Sequence, residues 1–67
     1  MIPVHSQYTI NLGLFYQRGG WVFIGAPMGT DFYGNVLFSG KRRTLHDALD
    51  AGRRAAGDEI SIVYSML

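Results

Sequence analysis

The 67-residue sequence contains no cysteine. Disulfide staples, thiolate metal ligands and thiol nucleophiles are therefore excluded together. Charge is scarce too: six Lys and Arg face five Asp and Glu, a net of +1 that by itself argues neither for nor against nucleic acid. Long apolar runs are missing. The greasiest stretch, Ile10 to Gly29, is broken by Asn11, Gln17 and Arg18 and falls short of the roughly 18 apolar residues of a membrane span. Met1-Ile2-Pro3-Val4-His5 has no basic segment ahead of an apolar one, so no signal peptide is read and a cytoplasmic location is expected. What the chain has in quantity is aromatic residues and glycine, nine of each. A chain this short is expected to be one domain over 1–67, burying only about 60% of its unfolded surface. It is also greasier than a small monomer needs to be.

The strongest local signal lies late in the chain. Thr44 is a good N-cap, with Asp47 three residues on to complete the first turn. Leu45, Ala48, Leu49, Gly52, Ala55 and Ala56 then recur on one face of a 3.6-residue period, so a helix is predicted from Thr44 to a stop at Gly57 in the left-handed conformation. Asp50 can pair with Arg54 one turn on, and Arg53 and Arg54 suit the negative end of the helix dipole. Gly52 on the apolar face costs about 1 kcal/mol against Ala, which points to a close approach between helix and sheet.

Strands surround that helix. Tyr8 to Tyr16 alternates as a half-buried strand. Gln17-Arg18-Gly19-Gly20 reads as a hairpin turn whose two glycines supply positive φ. Trp21 to Ala26 is apolar on both sides, like a central strand. Pro27 to Asp31 breaks the pattern, Phe32 to Ser39 reads as a third strand with Gly34 marking a bulge, and Gly40-Lys41-Arg42-Arg43 reads as a basic linker. Glu59 to Tyr64 returns as the fourth strand. Residues 1–7, with Pro3, read as a loosely held arm.

The predicted fold is α+β in the order β-β-β-α-β. A three-stranded antiparallel meander is joined by a fourth strand, with one helix packed on one sheet face. The crossover should be right-handed, and the fourth strand parallel to the third if they share a sheet. Its neighbour, first strand or third, is not readable. A helix of about 13 residues spans roughly 20 Å and covers one face. Ile10, Leu12, Leu14, Val36, Phe38, Ile60 and Ile62 suit that face. The other receives Phe15, Tyr33, Leu37, Val63 and half of the second strand, either Trp21 with Phe23 or Val22 with Ile24. Monomers rarely expose apolar patches beyond a few hundred Å². A protein-binding site at Phe15, Trp21, Phe23, Tyr33 and Leu37, or at a strand edge, is therefore expected, most simply in a homodimer. The plainer alternatives are that the arm folds over the patch or that the aromatics shield themselves.

Catalytic chemistry has almost no signal. His5 and His46 are far apart, the acidic residues read as caps, turns and a helix ion pair, and no serine sits in a nucleophile elbow. Gly34 to Lys41 has the wrong spacing for a phosphate loop, with Arg42 where Ser or Thr should hold magnesium. No enzyme activity, metal or cofactor is called for. Lys41, Arg42, Arg43, Arg53 and Arg54 offer an alternative, nucleic-acid binding, although the overall charge is far below that of such binders.

Gly19-Gly20-Trp21-Val22 with Pro27, followed by Thr44-Leu45-His46-Asp47-Ala48-Leu49, resembles the pattern of HicB-type antitoxin domains over roughly Tyr8 to Ala56. There a glycine turn, an aromatic strand ending near proline and a T-L-x-[DE]-A-L helix start follow in this order. This chain has extra residues between Pro27 and Thr44 and lacks that family's proline-glycine-cysteine turn. The arrangement is also similar to small phage-encoded inhibitors of host enzymes such as RNA polymerase. Either resemblance implies a non-catalytic protein that blocks a macromolecular target, and neither carries over a site residue.

Overall fold

The computed structural model describes residues 9–57 and 60–67. The N-terminal arm, the predicted strand start at Tyr8, and Asp58 and Glu59 before the last strand lie outside the described residues. Five elements follow in order: β1 (Thr9–Gln17), β2 (Gly20–Pro27), β3 (Phe38–Arg42), α1 (Leu45–Ala56) and β4 (Ser61–Met66). They form the predicted α+β arrangement, a four-stranded sheet in the order β3-β2-β1-β4. β2 is antiparallel to both β1 and β3, while β4 lies beside β1 and parallel to it. β3 and β4 therefore run the same way at opposite edges, as expected of a crossover, with β1 and β2 between them.

The helix forms where its caps put it. The Thr44 hydroxyl accepts from the Asp47 N–H at 3.1 Å, Asp50 pairs with Arg54 at 3.1 Å, and Asp47 and Arg53–Arg54 sit at their favoured ends. Gly57 does end it, through an N–H to the Arg53 carbonyl at 3.1 Å. Its φ of 103° and ψ of 154° are not the expected left-handed helical values, however, but an extended positive-φ region essentially closed to other residues.

Strand register decides which side chains meet that helix. Leu14 is paired with Phe23 and Leu12 with Gly25, so Trp21 and Phe23 share a face with Ile10, Leu12 and Leu14. Those three side chains, Phe23 and Ala48 are buried, with Trp21, Phe38, Leu45, Leu49 and Ile62 packed around them. On this face each Phe ring lies over a cross-strand glycine, Phe38 over Gly25 and Phe23 over Gly40. The Arg42 guanidinium stands 5.5 Å from the centre of the Phe23 ring.

Several strand boundaries differ from the sequence reading, and β4 runs on to Met66 instead of ending at Tyr64. β3 begins at Phe38, not Phe32, and takes in Gly40 to Arg42 of the supposed linker. The Asp31 carboxylate accepts from the Tyr33 N–H at 3.2 Å, and the Asn35 side chain donates to the Asp31 carbonyl at 3.2 Å. Such local bonds compete with a sheet ladder and hold 28–37 as a loop. Gly34 belongs to that loop rather than to a bulge, and Val36, placed under the helix by its pattern, is exposed there. In the first hairpin, Gln17 and Gly20 form the last pair. The turn residues are thus Arg18 and Gly19, with φ of 52° and 77°, and Gly20 opens β2.

Two stability outcomes follow. A methyl group on Gly52 would sit 2.7 Å from Leu12 Cδ2 and 2.8 Å from Cδ1, and Leu12 is fully buried with nowhere to yield. Overpacking of about 1–3 kcal/mol outweighs the gain of about 1 kcal/mol in helix propensity. Gly52→Ala should therefore lower the melting temperature, and an unchanged or higher value would refute the tight contact. Arg18→Asn should raise it by several degrees, because Asn-Gly suits a two-residue turn with both φ positive and Arg gives up about 1 kcal/mol there. Thermal unfolding of the two variants beside the parent checks both signs.

Candidate functional site

α1 lies over β2 and β3 and only reaches the near side of β1. By alternation, the face away from it carries Asn11, Gly13 and Phe15 of β1, Val22 and Ile24 of β2, Ser39 and Lys41 of β3, and Val63 and Ser65 of β4. The second strand thus contributes Val22 with Ile24, not Trp21 with Phe23.

Part of this face is covered from within the chain. Thr30 binds back to the Pro27 carbonyl through its hydroxyl at 2.6 Å and its N–H at 3.2 Å, and Leu37 N–H donates to Gly25 O at 2.8 Å. Between those anchors the loop swings over the sheet. It sets Phe32 above Gly13, where an added methyl would meet the ring at 3.0 Å and Leu67 Cδ1 at 2.6 Å. Phe32 and Leu67 take the space over the middle of β1, and the Ser65 hydroxyl meets Asn11 Oδ1 at 2.9 Å. What remains open is a cavity of about 410 Å³ lined by Phe15, Tyr16, Ile24, Phe32, Tyr33 and Leu67. Tyr33 stands at its rim 91% exposed, with Leu37 50% exposed on the same loop.

The five residues expected to form one aromatic sheet face are therefore divided. Phe15 is half-buried and lines the cavity. Tyr33 and Leu37 belong to the loop, not to a strand. Phe23 is 4% exposed in the core, and Trp21 packs against that core with Tyr16 edge-on at 5.6 Å. The register leaves no alternative for Trp21 and Phe23, because their side of β2 is the side of Leu12 and Leu14. Tyr16, Phe32 and Leu67 were not expected as lining residues, and Ile24 entered only as the alternative to Trp21 with Phe23. The Asp31–Asn35 turn chemistry was the available signal for Phe32.

The basic residues are divided as well. Lys41, Arg42 and Arg43 gather at the hairpin end of the sheet beside Gly19 and Gly20, where Lys41 Nζ donates to the backbone carbonyl of the turn residue Arg18 at 3.3 Å. Arg53 and Arg54 occupy the last turn of α1, roughly 15 Å away by helix rise, and Arg54 is engaged with Asp50.

A second, shallower cleft of about 500 Å³ runs between α1 and β4, lined by His46, Leu49, Asp50, Arg53 and Tyr64. His46 is exposed and its nearest carboxylate is Asp47 at 3.9 Å. Its described lining residues include no Ser, Thr, Cys or Lys. Among the described residues no three potential metal ligands cluster, and no described helix is long and apolar enough to cross a membrane. Comparison with protein-family models, with curated proteins and with solved structures finds no match.

Proposed function

We propose that the chain is a small, non-catalytic binding protein of the cytoplasm, homodimeric, that occupies or inhibits a partner protein. The observation that carries this reading is the face away from α1. Its cavity is lined by aromatic and aliphatic side chains, half-roofed by the chain's own loop, and rimmed by a tyrosine that stays exposed. A loop that leaves Tyr33, Leu37 and Met28 exposed supplies aromatic and aliphatic anchors around a pocket, and Tyr and Met are residue types enriched at interfaces. Inhibition by occupation is also what the likeness to HicB-type antitoxins and small phage inhibitors implies.

A second reading, nucleic-acid binding, has one observation in its favour: Lys41, Arg42 and Arg43 lie together at the hairpin end, and none of the three has a carboxylate partner among the described residues. Against it stand the net charge of +1 and the separation of Arg53 and Arg54 from that end.

Tyr33→Ala and Leu37→Ala should leave stability within about 0.5 kcal/mol, since both side chains are exposed. They should weaken capture of a specific protein from the native host's extract by tenfold or more, measured by quantitative pull-down beside the parent chain. An identical set of captured proteins for parent and variants would refute the face. Retention on immobilised heparin should be weak and unaltered by Arg42→Ala. Strong retention that falls steeply with salt and is lost in that variant would move the site to the basic end.

A further inference from the structure

The two outer strands of the sheet are built differently. β3 carries Lys41 and Arg42, charges that discourage edge pairing, whereas β4 and its continuation, Ser61 to Leu67, hold no charge and no proline. β4 also exposes apolar bulk: Tyr64 is 49% and Met66 65% exposed.

Its hydrogen-bonding groups have a definite direction. Leu67 N–H donates to Leu14 O at 2.8 Å, so Leu67 faces β1 with its backbone groups. Backbone groups alternate sides along a strand. Ser65 and Val63 therefore face β1 as well, and Ile62, Tyr64 and Met66 turn their N–H and C=O groups to the edge that has no partner strand among the described residues.

We propose that two copies of the chain join antiparallel through β4, about a two-fold axis passing beside Tyr64, into one continuous sheet. The inference rests on the homodimeric reading above and specifies how the copies meet. A second copy fits this edge because the outward triplet is complementary to itself. With Tyr64 opposite Tyr64, Ile62 of each copy falls opposite Met66 of the other. All three pairs are then hydrogen-bonded pairs exchanging two bonds each, about six in all. The same register keeps parity, so both α1 helices stay on one side and the apolar side chains of Ile62, Tyr64 and Met66 meet across the junction. Shifting by one residue would oppose outward groups to inward ones. Joining β4 to β3 of another copy would be head-to-tail, leaving a free edge at each end and an open filament; the two-fold arrangement closes. A strip of seven residues is only about 23 Å long. It is smaller than a standard interface of about 1,200–2,000 Å², so the dimer should be weak and dissociate in the micromolar range.

Sedimentation of the parent chain from about 1 µM to 1 mM should show a monomer–dimer equilibrium. Tyr64→Lys and Tyr64→Glu should each weaken it at least tenfold, since like charges would oppose one another at the axis, and an equimolar mixture of the two should restore it. Tyr33→Ala should leave it unchanged. Because either charge variant could lose its fold, the parent's own amides give a second readout. The N–H groups of Ile62, Tyr64 and Met66 should exchange with solvent freely in dilute solution and become protected as concentration rises. A monomer at the highest concentration would overturn both the junction and the homodimeric reading. A dimer indifferent to Tyr64 charge, with those three amides still exchanging freely, would overturn the β4 junction alone.

Discussion

The contact between Leu12 and Gly52 sets the height at which helix and sheet meet. Leu12 projects from the middle of β1 into the one place on the apolar face of α1 without a side chain. Because the helix offers mostly alanine and glycine there, it can come close, and the bulk that fills the gap comes from the strands. The same division recurs within the sheet, where Phe38 and Phe23 each lie over a glycine of the neighbouring strand. Large side chains and bare backbone are thus matched pair by pair.

That economy has a geometric cost. A helix seated over β2 and β3 by small residues cannot also cover β4, and it leaves the far face of the sheet untouched. The chain answers the second shortage with the 28–37 loop, whose turn bonds bring Phe32 over Gly13, and with Leu67 from the other direction. It answers the first hardly at all. Apolar exposure is consequently gathered in two places, the loop around Tyr33 and the last strand around Tyr64. This uneven distribution is what makes partner binding and self-association the functions to consider ahead of chemistry.

Much of this was legible from local signals. Thr44, Asp47, Asp50–Arg54, Gly52 and Gly57 each act within a turn or two, and α1 stands where they place it. Period-two alternation likewise located β1, and Ile10, Leu12 and Leu14 are core as expected. The rest depended on interactions the periodicity does not encode. β2 is apolar on both sides, so only its pairing with β1 could say that Trp21 and Phe23 face the helix. Phe32 to Leu37 alternates like a strand, yet Asp31 and Asn35 close a turn first, which moved β3 by six residues and placed Tyr33 and Leu37 on a loop. The place of β4 beside β1 is set by a pairing that spans most of the chain, and nothing within Ser61 to Met66 announces its neighbour.

That last pairing has a bearing on how the molecule comes into being. β1, β2 and β3 can zip up as successive neighbours, while the union of Thr9 with Ser61 must wait for a segment far along the chain. Contacts so distant along the chain form slowly. Until they do, Ile10, Leu12 and Leu14 lie on a naked border strand, the condition in which a partly made protein adheres to its neighbours. Arrival of β4 shields that border and, in the same event, creates the one without charged side chains at the rim. Self-recognition through this rim would thus be available only to molecules whose assembly is complete.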